Sequence, residues 1–211
     1  MIRGTTRVAA VIGWPVEHSR SPQMFAAAFA AAGLDAVMIP IGVPPDGFAQ
    51  VVGALRAMRA LGASVTLPHK LAAAALCDEL SPAARAIGAV NCIELSGGRL
   101  IGHNTDAPGF TDAAIAAGCA PRGARCVLLG AGGAARAVAH GLEAAGATVT
   151  VIARGTPTWC AAEPWSTPAM ADVFARADLL VDTTPIALDA ATEPAYTDAL
   201  PLAALPPAAM V

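Results

Sequence analysis

The sequence predicts an α/β protein, and three observations carry the prediction. Short apolar runs at residues 8–12, 37–43, 126–129, 148–152 and 179–181 read as buried strands, most of them ended by a glycine, a proline or a polar turn. Alanine-rich or helically spaced apolar segments lie between them, the alternation that builds a parallel sheet flanked by helices. Third, residues 126–136 run strand, glycine turn, helix opening, with Gly130, Gly132 and Ala135 on the G-x-G-x-x-G/A spacing of a dinucleotide-binding turn. There Gly130 permits the tight turn, Gly132 lets backbone approach a pyrophosphate, and small Ala135 lets the helix pack on its strand. The free N–H groups of that helix, with its positive dipole end, suit phosphate.

Composition narrows the function classes. The net charge of −3 comes without basic clusters, which argues against nucleic acid and anionic membranes as partners. No apolar stretch is long enough to span a bilayer, and residues 1–7 lack the apolar core of a signal peptide. Cys77, Cys92, Cys119, Cys126 and Cys160 are scattered, odd in number and without metal-ligand spacing. They read as reduced core thiols of a cytoplasmic protein, with no metal site.

Taken in order, the strand at 8–12 stops at Gly13, and Ser21-Pro22 is an N-cap and first-turn pair for a helix ending at Gly33. Ser19, without a capping role to explain it, suits a polyhydroxylated ligand. The strand at 37–43 contains Pro40, which marks an edge or a bend. Phe48, Val51, Val52, Leu55 and Met58 recur at helical spacing within 46–61, a scaffold helix ended by Gly62. A third strand leads into Ser64, Thr66, His69 and Lys70, a polar cluster just past a strand end, where α/β folds place ligand groups. A helix follows through 71–77, and Ser81-Pro82 starts another turn. Residues 89–95 and 99–104 frame Ser96-Gly97-Gly98, a hairpin signal. Asp106 reads either as a helix N-cap or as a carboxylate near the lysine.

These segments together resemble the shikimate dehydrogenase family. The matching residues are His18-Ser19-Arg20-Ser21-Pro22, Val65-Thr66-Leu67-Pro68-His69-Lys70, Gly88-Ala89-Val90-Asn91, Asn104-Thr105-Asp106 with Gly109, and Gly130-Ala131-Gly132-Gly133-Ala134-Ala135-Arg136. The resemblance implies an N-terminal α/β substrate domain over 1–104, a Rossmann-like NADP-binding domain over 105–211, and a cleft between them. It implies reversible reduction of 3-dehydroshikimate to shikimate. Ser19, Ser21, Thr66, Asn91 and Asp106 would hold the substrate, Lys70 and Asp106 would form the catalytic pair, and Thr184 would border the cofactor. The chemistry agrees: a ketone taking up hydride needs a proton at oxygen, and a lysine ammonium can deliver it.

The strand at 148–152 lies where the second strand of a nucleotide unit belongs. An NAD site would end it with Asp or Glu for the ribose 2′-hydroxyl, whereas this chain has Ala153-Arg154-Gly155. Arg154 can pair with a 2′-phosphate, so NADP is expected. No further basic residue follows until Arg176, a half-built clamp that leaves NAD use open. Residues 156–169 read as a surface connection.

Four departures from the family stand out. Ser64 replaces an asparagine that binds substrate hydroxyls, which opens quinate or another hydroxylated cyclic acid as substrate. Asp182 replaces an asparagine, and Ala187-Leu188 replace Gly-Met. Family members also continue past residue 211 through a segment carrying a substrate-binding glutamine, so the nucleotide domain is expected to be C-terminally incomplete, either a truncated piece or a catalytically impaired short form. A monomer or homodimer is expected.

Overall fold

The computed structural model describes residues 2–186 and 193–211, so Ala187 and Leu188 lie outside the described residues. The chain divides into two compact units, Met1–Thr105 and Asp106–Val211.

The first unit is built on β1 (Arg7–Gly13), α1 (Ser21–Ala31), β2 (Ala36–Gly42), α2 (Phe48–Ala57), β3 (Gly62–Val65), α3 (Lys70–Leu76), β4 (Glu79–Leu80), α4 (Pro82–Ile87), β5 (Cys92–Ser96) and β6 (Arg99–His103). The strands form one sheet in the order β2-β1-β3-β5-β6-β4, with β1 parallel to both neighbours and β5 antiparallel to β3. Pro40 indeed sits on an edge strand, where its missing N–H costs no ladder bond. Alternation along β1 feeds two cores. Ala10 and Ile12 join Phe48, Val52 and Leu55 of α2, while Ala9 and Val11 join Val16 and Met38, with Phe25 and Phe29 of α1 packed against them. Gly97 and Gly98 both take positive φ, 58° and 79°, and close the β5–β6 hairpin with Ser96 opposite Arg99. That is the backbone a two-residue turn demands.

Two sequence expectations need correction here. The scaffold helix ends at Ala57, not at Gly62, because Arg59 turns out of the helix at φ 51°. Gly62 instead opens β3, where a Cβ would run into the Ile93 carbonyl oxygen of the neighbouring strand. Its role is close backbone approach rather than helix termination.

The second unit comprises α5 (Asp106–Ala116), β7 (Arg125–Leu129), α6 (Gly133–Ala144), β8 (Thr148–Ala153), β9 (Ala162–Pro164), α7 (Thr167–Phe174), β10 (Leu179–Asp182) and α8 (Glu193–Ala199). Among the described residues its four strands are all parallel in the order β10-β7-β8-β9, the strand order of half a Rossmann sheet. Cys126, Leu128 and Val151 face Val138, Ala139 and Leu142 of α6; Val127, Leu129 and Ile152 face Met170 and Phe174 of α7. Helices on both faces explain why these strands read as unbroken apolar runs. Beyond β10, Leu180 donates its N–H to Met210 O at 2.9 Å, and Met210 donates to Asp178 O at 3.0 Å.

Residues 156–169 are not a plain surface connection. They contain β9, paired in parallel with β8, and the start of α7. Only the eight residues 154–161 join two parallel strands, where a crossover ordinarily takes a dozen or more and a helix.

Candidate functional site

In the first unit the topology collects the candidate side chains at one end of the sheet. Parallel β1 and β3 end where antiparallel β5 begins and β6 ends, so the loops after β1, β3 and β6 and the loop before β5 share one edge. Ser19 and Ser21 follow β1, Ser64 lies within β3, Thr66 and Lys70 follow it, Asn91 precedes β5, and Thr105 follows β6.

Backbone hydrogen bonds tie these loops together. Trp14 N–H donates to Leu67 O at 2.9 Å and Thr66 N–H to Ile12 O at 2.9 Å, which joins the β1 and β3 ends. Val90 N–H donates to Lys70 O at 2.8 Å, Val65 N–H to Asn91 O at 2.7 Å, and Asn91 N–H to His103 O at 3.1 Å. Residues 90–91 thus tie both ends of the loop between β3 and α3 to the end of β6. Thr66 O then accepts from His69 N–H, and Lys70 opens α3 half-buried. His69 is 1% exposed, stacks on Phe48 at 4.3 Å, and lies with Nε2 2.8 Å from Val43 O. A carbonyl only accepts, so the proton sits on Nε2. His69 thereby anchors the backbone from which Lys70 projects.

The capping expected of Ser21 is not formed, because Ser21 is the first residue of α1 and Arg20 takes the cap position. Ser19 Oγ accepts the N–H of Ser21 at 3.3 Å, while the Ser21 side chain makes no capping bond. Ser81, by contrast, caps α4 through the Ala84 N–H at 3.2 Å. Asn91 Oδ1 accepts Thr105 N–H at 2.8 Å, and its Nδ2 donates to Thr105 Oγ1 at 2.9 Å. The side chain expected to hold substrate therefore also fixes the residue before Asp106. Asp106 itself is the first residue of α5.

In the second unit Gly130, Ala131 and Gly132 form the turn between β7 and α6, and Gly133, Ala134 and Ala135 make the first helical turn. Gly130 has φ 102°, and a Cβ there would sit 2.8 Å from Thr183 Oγ1. Gly132 has nothing within 4 Å of an added Cβ, so open space lies over the turn, and Ala135 is fully buried. Arg154, Gly155, Thr156, Glu163 and Trp165 line a cavity of ≈ 410 Å³ past the end of β8. Open space above exposed backbone N–H groups, with a guanidinium beside a neighbouring cavity, fits a phosphorylated dinucleotide.

The contacts of several residues past the end of β10 became visible only in three dimensions. Asp182 Oδ1 accepts the Thr184 N–H at 2.7 Å, which gives that family departure a local role in turning the chain. Thr183 Oγ1 donates to Leu129 O at 2.6 Å, and Thr184 Oγ1 lies 3.4 Å from the Tyr196 hydroxyl. Burial pushes the Tyr196 phenol above its ordinary range, and the nearby Asp182 carboxylate adds to it. Among the described residues no cluster of His, Cys, Asp or Glu could hold a metal ion, and no helix is long and apolar enough to cross a membrane.

Comparison with known proteins bears directly on this arrangement. Residues 11–93 match the family model of the shikimate dehydrogenase substrate binding domain. A shikimate dehydrogenase (NADP(+)) of Geobacter metallireducens is 41% identical over 204 residues, covering 89% of this chain and 71% of that protein. The crystal structure of shikimate 5-dehydrogenase from Thermus thermophilus, in complex with NADP(H) and shikimate, superposes with TM-score 0.79 at 37% identity, covering 95% of this chain and 76% of that one. A 5-ketofructose reductase of a Gluconobacter strain is also similar, with TM-score 0.69 and 34% identity over 87% of this chain and 71% of that one. With ordered motifs, fold and sequence in agreement, the chain belongs to the shikimate dehydrogenase family of NADP-dependent oxidoreductases.

Proposed function

We propose that this chain reversibly reduces 3-dehydroshikimate to shikimate with NADPH. The observation that carries the reading is the gathering of Ser19, Ser21, Ser64, Thr66, Lys70 and Asn91 at one sheet end, on strand and helix ends and the loops between them, which backbone hydrogen bonds join. That many short polar groups in fixed positions suit a small ring bearing several hydroxyls and a carboxylate. The cofactor supplies hydride when bound, held by Gly130, Ala131, Gly132, Gly133, Ala134 and Ala135, with Arg154 on the 2′-phosphate and Thr184 beside it. Lys70 delivers a proton to the ketone oxygen and stabilises the developing alkoxide. Asp106 accepts from the substrate hydroxyl and forms the proton-handling pair with Lys70. In this reading residues 1–104 serve the substrate and 105–211 the dinucleotide. The reaction takes place in the cytoplasm, where the Cys126 thiol, pushed by burial to about 11, stays reduced, and the protein acts as a monomer or homodimer.

A second reading has a specific support. Ser64 is shorter than an amide and lacks its NH2 donors, and the related ketofructose reductase acts, by its name, on a different polyol ketone. Quinate or another hydroxylated acid is therefore the alternative substrate. The test follows NADPH absorbance on mixing protein with shikimate and NADP, with quinate and NAD in parallel arms. A rise with shikimate that vanishes in Lys70→Ala is expected. Turnover of quinate alone would favour the second reading, and a folded protein silent in every arm would overturn both.

A further inference from the structure

The crossover between β8 and β9 has eight residues and no helix, yet its face of the sheet is not bare. Trp159 and Cys160 pack against the core formed by Leu128, Val138 and Leu142, where a crossover helix would ordinarily lie. Trp159 also reaches back to the glycine turn. Its indole Nε1 donates to Ala131 O at 3.1 Å, and the Arg136 guanidinium carbon lies 5.6 Å from the centre of its ring. Arg136 occupies the first turn of α6 and leaves its Nε buried without a hydrogen-bond partner.

We infer that Trp159 is a positioning residue for the dinucleotide: it fixes the Ala131 peptide of the glycine turn and holds the Arg136 guanidinium beside it, in place of the missing crossover helix. The inference rests on the proposed cofactor and adds a determinant to it. A turn of two glycines and an alanine has many accessible backbone states, and binding a pyrophosphate requires one of them. One indole hydrogen bond to the middle peptide removes much of that freedom before the ligand arrives. Stacking adds a cation–π attraction that keeps a long, rotamer-rich side chain ordered beside the phosphate-binding helix end. The short crossover carries no basic residue beyond Arg154, and its Trp159 keeps the Arg136 guanidinium of α6 ordered beside the turn.

The experiment measures NADPH affinity by the fluorescence of the bound nucleotide, which needs no turnover, together with KM and kcat where turnover exists. Trp159→Phe keeps an aromatic face but loses the indole donor, and Trp159→Leu loses both contacts. The expected result is a NADPH Kd raised about threefold to tenfold in Trp159→Phe and further in Trp159→Leu, one hydrogen bond being worth about 1 kcal/mol. KM for NADP should follow while kcat at saturation holds. Melting temperature separates folding from positioning: a lowered melting point with unchanged Kd in both variants would reduce Trp159 to packing and overturn the inference. Wild-type protein that binds NADPH without oxidising shikimate would sink the proposed function and leave this inference standing on the Kd series. Wild-type protein that binds no NADPH would overturn this inference as well.

Discussion

The two units carry their candidate sites in opposite ways. In the first, named side chains matter, and backbone hydrogen bonds between loops hold them in place: Val90 to Lys70, Val65 to Asn91, Thr66 to Ile12. In the second, the site is largely an absence of side chains: open space over Gly132, a positive φ at Gly130, a buried methyl at Ala135. Recognition of a polyhydroxylated ring needs directional donors and acceptors, whereas recognition of a pyrophosphate needs backbone access and a helix end. Substitutions should therefore damage the units differently, by deleting function in one and adding bulk in the other.

The largest expected effect is Lys70→Ala, which should lower shikimate turnover by about 10²–10⁴-fold with NADPH affinity nearly unchanged. Comparable turnover in that variant would show that a different group moves the proton. Adding bulk comes next. Gly130→Val must place a β-branched residue at φ 102° and press it against Thr183. NADPH binding, read by nucleotide fluorescence, should weaken by at least about tenfold, with a lowered melting point. An unaffected Kd would break the contrast between the units.

Arg154→Ala is smaller and sharper. Losing one charge-assisted pair to a 2′-phosphate costs about 1.5–3 kcal/mol, so the NADP:NAD ratio of kcat/KM should fall roughly tenfold to hundredfold. A ratio that stays put would move the 2′-phosphate contact elsewhere. The smallest effect concerns a scaffold link in the second unit. Asp178 accepts from Arg125 N, Nε and Nη2 at 2.8–3.1 Å, and those bonds hold its carboxyl at about 2. A folded-state value below the unfolded one stabilises above the ordinary carboxylate range near ~3.9 and loses that contribution as pH falls toward ~2. Because both partners are about half exposed, Asp178→Asn should lower the melting point at pH 7 by only a few degrees, with a smaller gap at pH 2.

Legibility in the sequence followed the same division. The glycine turn, the Gly97-Gly98 hairpin and the apolar strands could be read because each depends on local backbone chemistry. What escaped depends on partners distant in sequence. Gly62 looked like a helix stop, but its constraint is the Ile93 carbonyl on another strand. The capping expected of Ser21 failed because α1 begins at Ser21 itself, one residue before where Ser-Pro suggested it. Asp182 could not be assigned until its bond to the Thr184 N–H was seen. Trp159 had a readable signal in the eight-residue spacing between β8 and β9, but only once β9 was known to be a strand.

The pair of hydrogen bonds that Met210 makes with Asp178 and Leu180 has a colloidal consequence. An outer strand with bare N–H and C=O groups is a template on which another chain can add itself, the first step of edge-to-edge aggregation. Among the described residues β10 is the outer strand on its side of the sheet, and Leu179 and Leu180 are among its most buried residues. By occupying the edge at Leu179, the segment at Met210 makes this apolar strand a poorer template for self-association during storage and heating.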